Sequence, residues 1–129
     1  HLTKLCMPFI KESKAGRLIN ISSISGIVGI EGQSNYAASK AAVIGFTKTI
    51  AKEYGKYGVT CNAIAPGYID TDMPKELSAE RKKEIIDCTL LKRIGRPNDI
   101  AELVVFLASD KASFITGEVI KIDGGLSLN

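Results

Sequence analysis

Three short β-prone runs, each closed by small or turn-forming residues and separated from the next by helical stretches, set what this chain can fold into. The first, Arg17-Leu18-Ile19-Asn20-Ile21, stops in Ser22-Ser23-Ile24-Ser25-Gly26. The second, Val59 to Ala65, leaves at Pro66-Gly67, and the third, Glu118 to Ile122, runs into Asp123-Gly124-Gly125. Runs rich in Val, Ile and Thr that end in Gly, Pro or Ser read as strands. Strands alternating with helices are joined by right-handed crossovers, which gives a parallel sheet with helices on both faces. The expected class is α/β.

The helices follow from spacing. Leu2, Leu5, Cys6, Phe9 and Ile10 predict an amphipathic helix from residue 2 to about 13, with Pro8 as an unfavourable residue inside it and Ala15-Gly16 as its end. Apolar and small residues from Tyr36 to Ile50 predict a long helix from Ser34 to about Gly55, with Gln33 or Ser34 as its cap. Residues 68 to 76 read as loop, Leu77 to Leu90 as a helix with a charged face, and Gly95-Arg96-Pro97 as a break before a helix through Ala108. Ligands of open parallel sheets bind beyond the carboxyl ends of the strands, so the loops 22 to 33 and 66 to 76 are where chemistry is expected.

Composition removes several function classes. Seventeen basic and fourteen acidic residues, spread along 129 residues, leave a net charge of +3 and form neither a nucleic-acid stripe nor a polybasic membrane patch. No apolar run approaches the roughly 20 residues that span a bilayer, and the expected location is cytoplasmic. Cys6, Cys61 and Cys88 are widely spaced and are expected to be buried thiols. His1 is the only histidine, which argues against a metal site and against imidazole acid/base chemistry. A start at His1 inside a helix suggests a piece of a longer polypeptide.

Tyr36 and Lys40 stand four apart on the long helix, which stacks them on one face. A lysine ammonium and the positive end of the helix dipole both favour a phenolate in the first turn. Such a tyrosine can give a proton to a carbonyl oxygen that receives hydride, or take one from an alcohol that loses it. Ser23, after the first strand, would hold and polarise the same oxygen. Taken alone, a Tyr-x-x-x-Lys is a weak motif, and a helix-start tyrosine, a solvated lysine and a turn-forming serine remain open.

The ordered set of Asn20-Ile21-Ser22-Ser23, Asn35-Tyr36-Ala37-Ala38-Ser39-Lys40, Asn62-Ala63-Ile64-Ala65-Pro66-Gly67, Gly95-Arg96-Pro97 and Asp123-Gly124-Gly125 resembles the short-chain dehydrogenase/reductase family over the whole chain. The resemblance implies the carboxyl-terminal half of a Rossmann-like doubly wound parallel sheet. It makes Tyr36 the catalytic acid/base, Ser23 the residue that binds the substrate oxygen, and Lys40 the partner of both Tyr36 and the nicotinamide ribose. Pro66, Gly67, Ile69 and Thr71, with Tyr36 and Lys40, would meet the cofactor, the Ile69 backbone facing the carboxamide. Asn20, Asn62 and the closing Gly-Gly pair look structural.

Within the family the wording Gly32-Gln33-Ser34-Asn35-Tyr36, Ala65 to Met73 and Phe114-Ile115-Thr116-Gly117-Glu118-Val119 is most similar to the 3-oxoacyl-acyl-carrier-protein reductases. That similarity implies NADP(H) in preference to NAD(H), an acyl-carrier-protein-linked substrate, no nucleic-acid or membrane partner, and a homotetramer assembled through the long helix. Reductases of acetoacetyl-CoA, sugars or steroids share much of the wording, and a non-catalytic assembly piece stays open. Met73, Leu77, Ile85, Ile86, Leu90, Leu91 and Ile94 are candidates to cover an acyl chain.

The departures from the family fall on its amino-terminal side. No glycine-rich phosphate turn follows a first strand, because Gly26-x-x-Gly29-x-x-Gly32 comes after the wrong one. The Asn-Asn-Ala-Gly run and the asparagine of the proton relay have no counterpart here. A contiguous half-sheet of three strands is therefore expected, with the first strand open on its outer edge.

Overall fold

The structure is a computed structural model that describes residues 2–13, 15–71 and 78–128. Its helices are α1 (Leu2–Glu12), α2 (Ser25–Val28), α3 (Ser34–Tyr54), α4 (Ala79–Cys88) and α5 (Pro97–Ala108), and its strands are β1 (Arg17–Ile21), β2 (Thr60–Pro66) and β3 (Val119–Ile122). The sheet order is β1-β2-β3. Both pairings are parallel, with Leu18 opposite Cys61 and Ile64 opposite Ile120. The half-sheet read from the sequence is therefore present, and among the described residues β1 has no strand on its outer side.

Register decides which helix each strand residue meets, because successive side chains point to opposite faces. Leu18 and Cys61 face one side and pack with Met7 and Ile10 of α1 and Ile50, Ala51 and Tyr54 of α3. Ile19, Ile64, Ile120 and Ile122 face the other side, against Ile100, Leu103, Val104 and Leu107 of α5. Helices thus cover both faces, and β2, between two strands and two helical layers, is buried along nearly its whole length. A parallel strand buried on both faces reads as an almost continuous apolar run, as β2 does.

The asparagine inside that run has its partners. Asn62, 1% exposed, donates from Nδ2 to the Ile115 carbonyl at 2.8 Å and accepts from the Glu118 N–H at 3.1 Å. It stitches β2 to the segment leading into β3. Asn20 does similar work on the opposite face, donating to Thr47 Oγ1 of α3 at 2.9 Å. Both asparagines have structural roles, as expected.

Several expectations are corrected. The segment after β1 is not all loop, since α2 occupies Ser25–Val28. Pro8 lies inside α1, which runs from Leu2 as read from the sequence. The helix expected from Leu77 starts later, at Ala79, where Ser78 accepts from the Arg81 N–H as an N-cap; Leu77 lies outside the described residues. Of the cysteines expected to be buried, only Cys61 is: Cys6 is half-buried and Cys88 is exposed.

Candidate active site

The carboxyl ends of β1 and β2 lie side by side, and the chain leaving each is fixed to the other. The Ser22 N–H donates to the Ile64 carbonyl at 2.7 Å and the Ile24 N–H to the Pro66 carbonyl at 3.0 Å. The Ser22 hydroxyl donates to the Lys40 carbonyl at 2.8 Å, which ties the end of β1 to the first turns of α3. These bonds bring the serine loop, the start of α3 and the loop after β2 around a cavity of about 770 Å³.

Ser23, Tyr36, Gly67, Ile69 and Thr71 all line that cavity. Tyr36 is the third residue of α3 and is 47% exposed. Lys40 stands one turn further on, its Nζ 5.6 Å from the centre of the Tyr36 ring and donating to the Ile21 carbonyl at 3.1 Å. The ammonium is thus held at the end of β1, beside the tyrosine. Lys40 and Pro66 do not line the cavity; Pro66 contributes the carbonyl that holds Ile24 in place.

The loop after β2 is shaped by a bridge between Ile69 and Gly95. Its hydrogen bonds run from the Gly95 N–H to the Tyr68 carbonyl at 2.9 Å and from the Asp70 N–H to the Gly95 carbonyl at 2.8 Å. In a parallel bridge of this kind the flanking residues bond inward and the central residue turns its own N–H and C=O to the other side. Ile69 accordingly has no backbone partner among the described residues. One donor and one acceptor side by side match a carboxamide, which carries both. The Thr71 hydroxyl adds a third polar group, so the residues present fit the nicotinamide end of a dinucleotide.

Packing within the fold by itself requires glycine at position 67. A Cβ there would lie 2.7 Å from the Asp123 Cβ, so the two loops pack closer than any side chain permits. The Gly26-Gly29-Gly32 spacing is no phosphate cradle, in line with the sequence. The N–H groups of Gly26, Ile27, Val28 and Gly29 all donate to carbonyls of residues 23 to 25 and point at no ligand.

Of the residues considered for covering an acyl chain, Ile85 lines the cavity, whereas Ile86, Leu90, Leu91 and Ile94 do not. Met73 and Leu77 lie outside the described residues, as does Asp72. Val28 and Ile30 supply further apolar lining. Sequence reasoning missed Ser25 and Gln33, which bond to each other across the cavity wall at 2.9 Å. The available signal was that Gln is a poor N-cap, yet it stands at the cap position of α3.

The family described as Enoyl-(Acyl carrier protein) reductase matches residues 1–127. The chain belongs to the short-chain dehydrogenase/reductase family. Among relatives, it is 44% identical over 126 residues to the 3-oxoacyl-[acyl-carrier-protein] reductase FabG of Thermotoga maritima, covering 98% of this chain and 51% of that protein. It is 50% identical over 120 residues to the enzyme of the same name from Chlamydia trachomatis, covering 93% of this chain and 48% of that one. A short-chain type dehydrogenase/reductase from Mycobacterium ulcerans superposes with a TM-score of 0.95 at 35% identity, over 99% of this chain and 47% of the other. The 3-oxoacyl-[acyl-carrier protein] reductase of Brucella melitensis gives 0.91 at 35% identity, over 96% and 47%. The chain spans about half the length of the curated relatives it matches.

Proposed function

We propose that this short-chain dehydrogenase/reductase chain carries the catalytic side of an NADPH-dependent reductase. Its substrate is a 3-oxoacyl thioester on acyl carrier protein, its product the 3-hydroxyacyl form for fatty acid synthesis, and its setting a cytoplasmic homotetramer. One arrangement carries the reading: the Ser23 and Tyr36 side chains open onto a single cavity, with the Lys40 ammonium behind the tyrosine ring. The function named for the T. maritima and C. trachomatis relatives supports the substrate class. The reductive direction favours NADP(H) over NAD(H).

In this reading Ser23 donates a hydrogen bond to the substrate carbonyl oxygen and fixes where it sits. A nicotinamide held at Lys40, Ile69 and Thr71 would supply the hydride that the carbonyl carbon receives. Tyr36 gives its hydroxyl proton to the oxygen as negative charge develops there, which leaves an alcohol and a phenolate. Lys40, held on the Ile21 carbonyl, places its positive charge beside that phenolate and presents its remaining N–H groups to the ribose. The Ile69 backbone and the Thr71 hydroxyl would hold the carboxamide. Val28, Ile30 and Ile85 give the acyl chain an apolar wall away from water.

Replacing Tyr36 by Phe in the full-length protein tests the assignment, because it removes only the proton carrier. Turnover of a 3-oxoacyl thioester should fall by roughly 10²- to 10⁴-fold with NADPH affinity unchanged. Turnover near that of the wild type would overturn the reading.

A further inference from the structure

Ser23 is the first member of a chain of hydroxyls. Its Oγ donates to Ser25 Oγ at 3.3 Å, and Ser25 Oγ donates to Gln33 Oε1 at 2.9 Å. The Ser25 N–H donates back to Ser23 Oγ at 3.2 Å. Ser23 and Ser25 are 8% and 4% exposed, and all three side chains line the cavity that holds Tyr36. Gln33 stands at the N-cap of α3 but makes no capping bond there, so its amide serves the serines instead of its own helix.

A serine hydroxyl has one hydrogen to give. In the direction just described the Ser23 hydrogen is committed to Ser25, and a carbonyl oxygen entering the cavity, which can only accept, would compete for it. The amide at the end of the chain is the one group that can reverse the order, because it carries an acceptor and two donors on a single rotatable bond. With Nε2 turned toward Ser25, Ser25 accepts from Gln33 and donates to Ser23. Ser23 then has two donors facing it, from Ser25 Oγ and Ser25 N, and its own hydrogen is directed at the substrate. Hydrogen bonds aligned in one direction also polarise one another, which strengthens the last donor.

We propose that Ser25 and Gln33 are positioning residues that form a reversible hydrogen-bond relay, in which rotation of the Gln33 amide turns the Ser23 hydroxyl from its resting partner toward the substrate carbonyl. The proposal rests on the reading of Ser23 as the residue that holds the substrate oxygen. It assigns the Gln of the Gly-Gln-Ser-Asn-Tyr segment a part in the reaction that neither capping nor packing supplies.

Glutamate has nearly the shape of glutamine but only accepts when ionised. Gln33→Glu therefore holds the chain in its resting direction without emptying the space. In the full-length protein, with NADPH and acetoacetyl-CoA as the carbonyl probe, kcat at neutral pH should fall by about tenfold, less than the roughly 10²- to 10³-fold of losing an oxyanion donor outright. KM and the melting temperature should stay near the wild-type values. The ratio of variant to wild-type kcat should then climb as pH falls through the carboxyl range, where the protonated acid regains a donor. Ser25→Ala, which cuts the relay, should lower kcat without that pH-dependent recovery. A Gln33→Glu protein with the kcat and pH profile of the wild type overturns the relay, and so does a loss confined to KM or melting temperature. Failure of the function reading is distinguishable, because the wild-type protein itself would then fail to reduce the thioester or Tyr36→Phe would retain turnover.

Discussion

Gly26 lies so close to Lys40 that a Cβ on the glycine would be 2.6 Å from the Lys40 carbonyl carbon and 2.7 Å from the Ala41 nitrogen. Both obstacles are helix backbone, which cannot swing aside as a side chain can. Gly26 is therefore the seat on which α2 meets α3, and it sets how the serine loop faces the Tyr36 and Lys40 turn.

Gly26→Ala should push α2 off α3 and change the spacing of Ser23 relative to Tyr36. Overpacking of this kind costs about 1–3 kcal/mol, and a misplacement of about 1 Å at a reacting centre can cost about 10²-fold in rate. Steady-state kinetics and a melting curve on the full-length variant check both effects. Wild-type turnover would mean that α2 does not set the site.

Asn62→Ala should be more harmful to stability than to the chemistry. It strips partners from the Ile115 carbonyl and the Glu118 N–H, at a position where the asparagine is 1% exposed. Each buried group left unsatisfied costs about 1–3 kcal/mol. Denaturant unfolding should show a loss of that order, with residual folded protein retaining its KM.

Much of this was legible in the sequence because parallel strands buried on both faces announce themselves: β1, β2 and β3 fall within one residue of the runs read as strands. The helix α2 was not legible, since Ser-Gly-Ile-Val has poor intrinsic helix propensity and the turn exists because it packs on α3. Ser23, Tyr36 and Lys40 could be picked out through ordered motifs and helical spacing. Gln33 was hidden by its position, where a polar residue before a helix reads as a cap, and its bond to Ser25 depends on a fold-back that no local pattern encodes. Cys88 was misread for a similar reason: its exposure follows from which face of α4 turns outward.

Stability should decline at both ends of the pH scale for identifiable reasons. The Arg93 guanidinium, with help from the Arg96 N–H, holds the Asp99 carboxyl down at about 2 against an ordinary 3.8. A depressed carboxyl stabilises the fold above its unfolded value, and that contribution is lost as pH falls from about 4 toward 2. Burial pushes the Cys61 thiol up to about 11 from an ordinary 9.0. A raised thiol stabilises the fold below about 9, and that contribution is lost as pH rises through 11. Melting temperatures across pH should flatten at the acid end in Asp99→Asn and at the alkaline end in Cys61→Ala; unchanged slopes would reject these assignments.

The outward face of α3 bears on assembly. Ala38, Ala41, Ala42 and Gly45 are exposed at helical spacing, and nothing lies within 4 Å of where a Gly45 Cβ would be. Small residues let two helix backbones approach closely, and we propose that this face meets its counterpart in a homotetramer. Ala41→Glu combined with Gly45→Glu should lower the mass seen by light scattering of the full-length protein. A tetramer that survives both charges would place the interface elsewhere.

The 129 residues alone should neither hold NADPH with useful affinity nor reduce a 3-oxoacyl substrate. They contain groups for the nicotinamide end at Lys40, Ile69 and Thr71, so chemistry would seem within reach. Orientation of a dinucleotide in such folds depends chiefly on backbone N–H groups at a helix start facing the pyrophosphate. Here the N–H groups of Gly26, Ile27, Val28 and Gly29 bond to carbonyls of residues 23 to 25, and the Gly67 N–H bonds to the Ile122 carbonyl at 2.9 Å. None of these paired amides is free for a phosphate. Without that anchor the reacting carbons are not held together, and the proximity advantage is forfeited. Calorimetric titration of the purified chain with NADPH should give a Kd weaker than about 1 mM, equivalent to about 4 kcal/mol. Micromolar binding together with substrate-dependent oxidation of NADPH would show that the pyrophosphate is anchored within these residues after all.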